Sequence, residues 1–367
     1  MKARFRLRKV STGKFDIVLF SIVTALTLFG LMMIFNSSSV MAYNLFGDKY
    51  GFIKDQVMWC ILGFTALFAA YKFDYHRLYN LALPLLITAI VLLILVFVPG
   101  IGTHALGASR WINLGFTSVQ PAEFIKLALA IYLAAWFSQK EKGRFGAFIL
   151  LMGSIMALVL MQPDLGTASI IMFEALVIYY LSGGNIIYFF FIAPVVAIGG
   201  FFYVITEPYR MSRLTSFLNL GGSLHDTSYH VKQILIALGS GGLFGLGVGN
   251  SIQKYAYLPE NVTDSIFPII AEEFGFIGSV VLIMIFAAFI WRCLYIASRA
   301  KDAFGKLLAG GIISFIGIQC VINLAAMTAL VPLTGVPLPF ISYGGSALIV
   351  DLAAIGILLN ISKQSKV

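Results

Sequence analysis

The residues with the clearest chemical potential lie in a short polar stretch at positions 257–268, YLPENVTDSIFP. Asp264 stands in this stretch, close to the start of a long apolar run. An aspartate before such a run is a common helix N-cap, because its carboxylate accepts hydrogen bonds from the free N–H groups of the first turn. The same carboxylate could remove a proton from a substrate hydroxyl as a general base. The sequence supports capping and catalysis about equally for Asp264, and the two roles are compatible.

Several cationic side chains are candidates for binding an anionic substrate. Arg210 and Arg213 are three residues apart and could grip a pyrophosphate, or contact anionic lipid head groups. Arg110 precedes a tryptophan and is either an interfacial anchor or an anion contact. Glu123 and Lys126 can meet on one helix face. For this pair we favour a structural role, in which the two charges neutralise each other and lower the cost of membrane burial.

Other acids and histidines leave their roles open. Glu174 and Asp351 lie deep inside apolar runs, where an acid is either functional or protonated and hydrogen-bonded. Asp164 falls in a tight turn, and capping is the strong expectation there. The four histidines show no metal-ligand spacing, and only His230 shares a predicted loop with Asp264. The identity of any metal ligands therefore stays unknown.

Composition excludes a soluble globular domain. The 367 residues are 60% hydrophobic and only 11% charged, and a soluble protein of this kind would expose apolar patches that it could not cover. The net charge of +9 does not indicate nucleic-acid binding, because the cations lie in short gaps between apolar runs. The glycine-rich stretch at 245–249 has no following Walker lysine. The three cysteines lack CxxC spacing and are expected to be buried thiols.

The apolar runs are long enough to cross a bilayer as helices, which need about 20 residues. In lipid a helix satisfies its own backbone hydrogen bonds, and these runs are too long for barrel strands. We therefore predict an all-α, polytopic membrane protein with about ten transmembrane helices, forming one domain over residues 1–367. The predicted spans are 15–35, 52–71, 80–98, 122–138, 145–162, 166–182, 186–206, 266–291, 306–331 and 347–362.

The distribution of lysine and arginine predicts the orientation. Placing both termini in the cytoplasm puts the basic tail, 1–14, and most of the other cations on that side. The run after this tail is too long for the apolar region of a signal peptide, so we take it as a retained first span. Three segments then face outward: 99–121, 332–346, and the large loop 207–265 between the seventh and eighth spans. The last includes a short helix-like segment at 231–238.

Seven short motifs run in order along nearly the whole chain. They are GASRWI (107–112), QPAEFIK (120–126), QPDLGT (162–167), GSGGL (239–243), LPE with TD (258–260, 263–264), AEE (271–273) and PLPFISYGGS (337–346). On a scaffold of about ten helices, this set resembles the SEDS proteins, the group of FtsW, RodA and SpoVE. The stretch GNSIQKY at 249–255 is more similar to the FtsW and SpoVE branch than to RodA.

The resemblance implies a peptidoglycan glycosyltransferase in the cytoplasmic membrane, which polymerises lipid II at the outer face and releases undecaprenyl pyrophosphate. It implies a class B penicillin-binding protein as partner, with no nucleic acid, and makes Asp264 the catalytic residue. No cofactor is certain, although a divalent cation, Mg²⁺ or Mn²⁺, could assist. The predicted substrate-binding residues are Arg110, Glu123, Lys126, Arg210, Arg213, Tyr229, Gln233 and Ser346.

The sequence departs from the family pattern at a few positions, and two other functions compete. Ser265 stands where phenylalanine commonly follows the essential aspartate, Pro268 replaces a small residue, and Lys232 replaces an uncharged one. A lipid II flippase would need polar groups continuous across the membrane, and a scaffold would not need its outer acids. Because the outer segments hold most of the polar groups, we favour the enzyme.

Overall fold

The computed structural model describes residues 15–105, 108–113, 115, 117–139, 143–218, 226–255 and 258–364. The predicted basic tail 1–14 lies outside the described residues. The described chain is mainly helical, with one small sheet. The helices are α1 Ile17–Phe46, α2 Gly51–Lys72, α3 His76–Leu95, α4 Pro121–Phe137, α5 Phe145–Met161, α6 Leu165–Leu181, α7 Ile187–Ile205, α8 Pro208–Leu218, α9 Asp226–Ser240, α10 Ile266–Arg299, α11 Ala303–Met327 and α12 Gly345–Gln364.

Seven of the described helices are long and apolar enough to cross a membrane: α1, α2, α3, α7, α10, α11 and α12. Two further apolar helices, α5 and α6, have 17 residues each, as does the less apolar α4. Large apolar side chains point outward along these helices, as at Leu150, which is 77% exposed, and such surfaces are stable only against lipid. The chain is therefore a multi-pass, mostly helical membrane protein.

The centre of the bundle is formed by α11 and α12, whose apolar segments are 72% and 83% buried. Close approach of α2 to α12 depends on a small residue, since a Cβ at Gly356 would lie 2.3 Å from the carbonyl oxygen of Leu67. Small residues at helix crossings are the usual basis of tight packing in membranes.

Two helices differ from their predicted lengths. The first helix continues to Phe46, past residue 35 at which its predicted span ends, and the Ser37 hydroxyl donates back to the carbonyl of Met33 at 2.8 Å. The helix α10 extends to Arg299 and is broken at Gly275, where φ is 68° and ψ is −168°. A short first segment, 266–274, therefore precedes the long part of α10.

The predicted outer segment 99–121 contains a three-stranded antiparallel sheet, so the all-α prediction is wrong at this point. The strands are β1 Gly102–Ala105, β2 Ala108–Asn113 and β3 Ser118–Val119, in the order β1-β2-β3. Trp111 pairs with Thr103, and Ile112 pairs with both Gly102 and Val119. The helix α8, within the predicted loop 207–265, was also missed, whereas α9 includes the helical segment predicted at 231–238.

The connecting segments gather at two ends of the bundle. One end, which we call the loop end, holds the sheet, the α5–α6 turn, α8, α9, the described residues between α9 and α10, and the segment 328–344. At the opposite end, Arg292 pairs with Asp16 at 2.9 Å, and Ser362 donates to the same carboxylate at 3.4 Å. The first and last helices therefore have their chain-terminal ends side by side.

Candidate active site

Asp264 lies at the loop end and is only 3% exposed. It does not cap α10: the N-cap is Ser265, whose side chain makes no capping bond, so the capping role is not observed. The Asp264 carboxylate instead accepts from the Thr263 hydroxyl at 3.3 Å. Its backbone carbonyl accepts from the amide of Asn323 at 2.8 Å. The α11 side chain thus fixes the backbone that carries the acid and leaves its carboxylate available.

A cavity of about 460 Å³ opens beside this carboxylate. Its wall combines the start of α2, the end of the sheet segment, the turn before α10, and the segment leading into α12. The side chain of Ser346, a predicted substrate-binding residue, lines this cavity and accepts from the backbone N–H of Gln120 at 3.1 Å. Members of the cavity wall include Asp55, Trp59, Trp111, Gln120, Thr263, Asp264, Pro337, Tyr343 and Ser346. The three predicted outer segments therefore meet at Asp264.

Burial raises the pKa of Asp264 well above its usual range, because the charged carboxylate loses solvation. The neighbouring Glu260 raises this pKa further through its charge and through a hydrogen bond between the two carboxyl groups, while the Arg213 guanidinium lowers it. Tyr343, across the cavity, has a pKa raised to about 12 by burial and by Asp55. A raised pKa is typical of a carboxyl group that lies in a cleft and transfers protons.

His230 reaches the same turn from α9. Its Nε2 lies 2.8 Å from the Ser265 hydroxyl, so the serine that departs from the family pattern has a defined partner. Burial lowers the pKa of His230 to about 4, which leaves the ring uncharged at neutral pH. His230 therefore contributes a neutral hydrogen bond beside Asp264.

A second cavity, of about 200 Å³, brings three predicted cations together: Arg110, Arg210 and Arg213 all line it. Arg110 donates from Nε to the carbonyl of Gln162 at 3.0 Å. Arg213 donates to the carbonyl of Leu333 at 3.0 Å. We call this the arginine cavity, and its positive charge suits a pyrophosphate.

The remaining arginine, Arg210, rests on an aromatic ring. Its guanidinium carbon lies 3.6 Å from the centre of the Tyr203 ring, and Nη1 donates to the Tyr203 carbonyl at 2.6 Å. Tyr203 also lines an apolar groove of about 600 Å³ between α5, α6 and α7, and Leu165 lines both this groove and the arginine cavity. The cations therefore stand at one end of a groove that could hold a hydrocarbon chain.

A family model for the FtsW, RodA and SpoVE proteins, described as "Cell cycle protein", matches residues 16–367. The chain belongs to this family. The chain is 38% identical over 358 residues to a probable peptidoglycan glycosyltransferase FtsW of Geobacter sp. strain M18, covering 96% of this chain and 98% of that protein. It is 39% identical over 358 residues to the stage V sporulation protein E of Bacillus subtilis strain 168, with the same coverage.

Two solved structures share the fold of this FtsW, RodA and SpoVE family member. A chain from a study of how a peptidoglycan synthase complex coordinates polymerization and crosslinking superposes with a TM-score of 0.78 at 26% identity, covering 95% of this chain and 97% of that one. A mutant of the rod shape determining protein RodA from Thermus thermophilus gives 0.71 at 27% identity, covering 96% and 98%. The family resemblance inferred from the seven motifs is confirmed.

Four predicted binding residues do not line either of the two polar cavities. Tyr229 and Gln233 are half-buried on α9. Lys126 is fully buried, lies 2.8 Å from a Glu123 carboxylate oxygen, and donates to Gln319 at 2.6 Å. Their contact with substrate stays a prediction, and for Glu123 and Lys126 the observed geometry is that of the neutralising pair.

Of the three other acids that the sequence singled out, Asp164 caps a helix, whereas Glu174 and Asp351 carry buried oxygens that have no hydrogen-bond partner in the described structure. Asp164 is the N-cap of α6 and accepts from the backbone N–H of Thr167 at 3.1 Å, as predicted. Neither carboxylate oxygen of Glu174, nor Oδ1 of Asp351, has a hydrogen-bond partner among the described residues. Among all the residues that the structure describes, no group of three or more His, Cys, Asp or Glu could hold a metal ion. The divalent cation stays a prediction.

Two residues that position the site were missed by sequence reasoning. Asn323 donates to the carbonyls of Asp264 and of Val336, the latter at 2.7 Å. One helical turn earlier, Gln319 donates to the carbonyl of Pro337 at 3.1 Å. Polar side chains four residues apart in an otherwise apolar helix were the available signal.

Proposed function

We propose that this chain is a peptidoglycan glycosyltransferase that polymerises lipid II and releases undecaprenyl pyrophosphate. The observation that carries the proposal is the juxtaposition of a buried carboxyl group, in a polar cavity, with three arginines at the end of an apolar groove. A lipid-linked sugar pyrophosphate has these three parts: a sugar, a dianionic link and a hydrocarbon tail. The curated names of relatives such as the Geobacter FtsW protein support the same activity.

In the proposed mechanism, Asp264 accepts the proton of the acceptor's 4-hydroxyl as the oxygen attacks the anomeric carbon of the donor. The bond from that carbon to the pyrophosphate breaks, and the departing group keeps the electron pair. Arg110, Arg210 and Arg213 stabilise the charge that develops on the pyrophosphate. A single displacement inverts the anomeric centre, and no nucleotide is needed because the donor already carries its leaving group.

The two ends of the bundle support a proposed membrane topology. We infer about ten crossings, with the loop end at the outer face of the cytoplasmic membrane and both termini in the cytoplasm. Cations such as Arg292, Arg299 and Lys301 lie at the opposite end, which suits the positive-inside rule. This orientation places the Asp264 cavity where a lipid-linked substrate can reach it from the outer leaflet.

The proposed partner is a class B penicillin-binding protein, which crosslinks the strands that this chain makes. The superposition on a chain of a peptidoglycan synthase complex supports that partnership. The division or sporulation branch is favoured by the FtsW and SpoVE relatives.

The test is glycan formation from pure lipid II by the reconstituted chain, with and without a class B partner. We expect Asp264→Asn to abolish polymerisation while leaving the thermal unfolding midpoint in detergent unchanged. The matched control is Asp48→Asn, since Asp48 is an acid of the loop end in an exposed pair with Lys54 at 2.6 Å. Full activity of a folded Asp264→Asn protein would refute the assignment, and transport of lipid II without polymerisation would indicate a flippase instead.

A further inference from the structure

A second carboxyl group stands directly behind Asp264. Glu260 is exposed, whereas Asp264 is 3% exposed, and the two carboxyl groups form a hydrogen bond. A tight turn creates this contact, because the N–H groups of Thr263 and Ser265 both donate to the carbonyl of Glu260 at 3.2 Å. The turn holds Glu260 at φ 50°, a left-handed conformation that non-glycine residues rarely adopt without a compensating role.

We propose that Glu260 is a proton-relay residue that acts through Asp264, so that the two carboxyl groups form a pair with one face toward the substrate cavity and the other toward water. The proposal rests on the proposed glycosyltransferase function and names the route by which the acceptor's proton leaves the site. Glu260 does not itself line the cavity beside Asp264. Its expected contribution is to keep Asp264 ready to accept a proton.

The proposed step conserves protons and electrons. One Asp264 oxygen accepts the proton of the acceptor's 4-hydroxyl while the other gives the shared proton to Glu260. The acceptor oxygen forms its bond to the anomeric carbon, and the bond from that carbon to the pyrophosphate breaks with its electron pair on the leaving group. Glu260 then releases its proton to water, which restores a pair carrying one proton and one negative charge.

The surroundings explain why a relay is needed. Two carboxylates in contact do not readily ionise together, so such a pair holds one proton over a wide pH range. Of the other groups facing the pair, Arg213 is cationic, His230 is neutral, and Tyr343 with Asp55 lies across the cavity. None of these offers Asp264 an outward path comparable to the exposed Glu260 side chain.

The experiment is the pH dependence of lipid II polymerisation by the full chain with its class B partner, for wild type, Glu260→Gln and Glu207→Gln. Glu207 is an exposed glutamate of the same end of the bundle and serves as the matched control. We expect Glu260→Gln to lower turnover by about tenfold or more. We also expect the acidic limb of the profile to stay in place, because in both proteins it reports an ionisation next to an uncharged neighbour, the protonated partner of the pair in wild type and the amide in the variant.

A second variant distinguishes loss of the proton relay from a failure to fold. Glycine adopts a positive φ without strain, so Glu260→Gly is expected to fold, to be slow, and to regain activity when formate is added. A shift of the acidic limb to lower pH in Glu260→Gln would overturn the relay, because it would show that wild type must lose the second proton of the pair before it can react. A slow Glu260→Gly that formate does not restore, or a wild-type rate in Glu260→Gln, would also overturn it. If wild type itself makes no glycan, the proposed function fails instead, so the two failures are distinguishable.

Discussion

At the scale of single residues, Arg213 and Arg210 line one cavity but act differently on Asp264. Only Arg213 lowers the pKa of Asp264, whereas Arg210 is stacked on Tyr203. Removing the Arg213 charge should raise that pKa, so a higher pH is needed to form the reactive carboxylate. We expect Arg213→Gln to slow polymerisation and to shift the acidic limb of its pH profile to higher pH.

The control is Arg210→Gln, which removes a charge from the same cavity. It should slow polymerisation through weaker pyrophosphate binding while leaving the acidic limb in place. Equal limb positions in the two variants would show that Arg213 does not tune Asp264.

The buried ion pair of Glu123 and Lys126 should contribute to the stability of the protein. Removing one member of a buried ion pair leaves an uncompensated charge and costs about 3–5 kcal/mol. We expect Lys126→Met to lower the unfolding midpoint strongly, and the double variant with Glu123→Gln to recover much of the loss. The measurement is thermal unfolding of the purified variants in one detergent.

Activity of the double variant then decides between the two roles of this pair. A stable double variant that still polymerises lipid II supports the structural role. A stable but inactive one supports the predicted contact with substrate. An unchanged midpoint in Lys126→Met alone would contradict the buried charge pair.

Sequence reasoning located the candidate chemical residues but not the contacts among them. Asp264 was singled out because a carboxylate at the start of an apolar run can cap a helix or act as a general base, and Arg110, Arg210 and Arg213 because cations near a membrane can bind an anionic group. The contact between Glu260 and Asp264 depends on a left-handed turn, and the hydrogen bond from the Asn323 side chain to the Asp264 carbonyl spans 59 positions of the chain. Neither contact leaves a periodic pattern in the sequence.

At the scale of elements, the glycine-rich segment 245–249, which precedes Asp264 in the chain, is docked on the first part of α10. The backbone N–H groups of Leu246 and Gly247 donate to the carbonyls of Glu272 and Glu273 at 2.9 and 3.0 Å. The buried Glu272 side chain also accepts from the Ser251 hydroxyl. This glycine-rich segment, which lacks the residues of a phosphate loop, therefore serves to position the turn that carries the acid.

A substitution at Gly245 tests this docking. Gly245 has φ 83°, and a Cβ there would lie 2.1 Å from the carbonyl oxygen of Glu273. The left-handed strain alone costs about 1–3 kcal/mol, so we expect Gly245→Ala to lower both the unfolding midpoint and polymerisation. In Gly239→Ala, a Cβ meets nothing within 4 Å, and both quantities should stay unchanged. Similar midpoints for the two variants would argue against tight docking.

The elements that sequence reasoning missed are the short ones. A strand of two residues, such as β3 at Ser118–Val119, is too short for its alternation to be recognised, and its pairing with β2 is fixed by tertiary contact. The helix α8 is not apolar, so a search for spanning runs passes over it. The long apolar helices were predicted because, in lipid, each spanning segment must satisfy its backbone hydrogen bonds within itself.

At the scale of the whole molecule, the two ends of the bundle should face opposite compartments. Lys49 is exposed at the loop end and Lys301 is exposed at the opposite end, whereas the native thiols Cys60, Cys293 and Cys320 are buried. A membrane-impermeable maleimide added to intact spheroplasts should therefore label Lys49→Cys, leave Lys301→Cys unlabelled, and react little with the parent chain. Lysis before labelling is the control, because it should make both introduced thiols reactive. Labelling of Lys301→Cys in intact spheroplasts, with Lys49→Cys protected, would reverse the orientation and place the Asp264 cavity on the side where no lipid-linked acceptor of the outer leaflet could reach it.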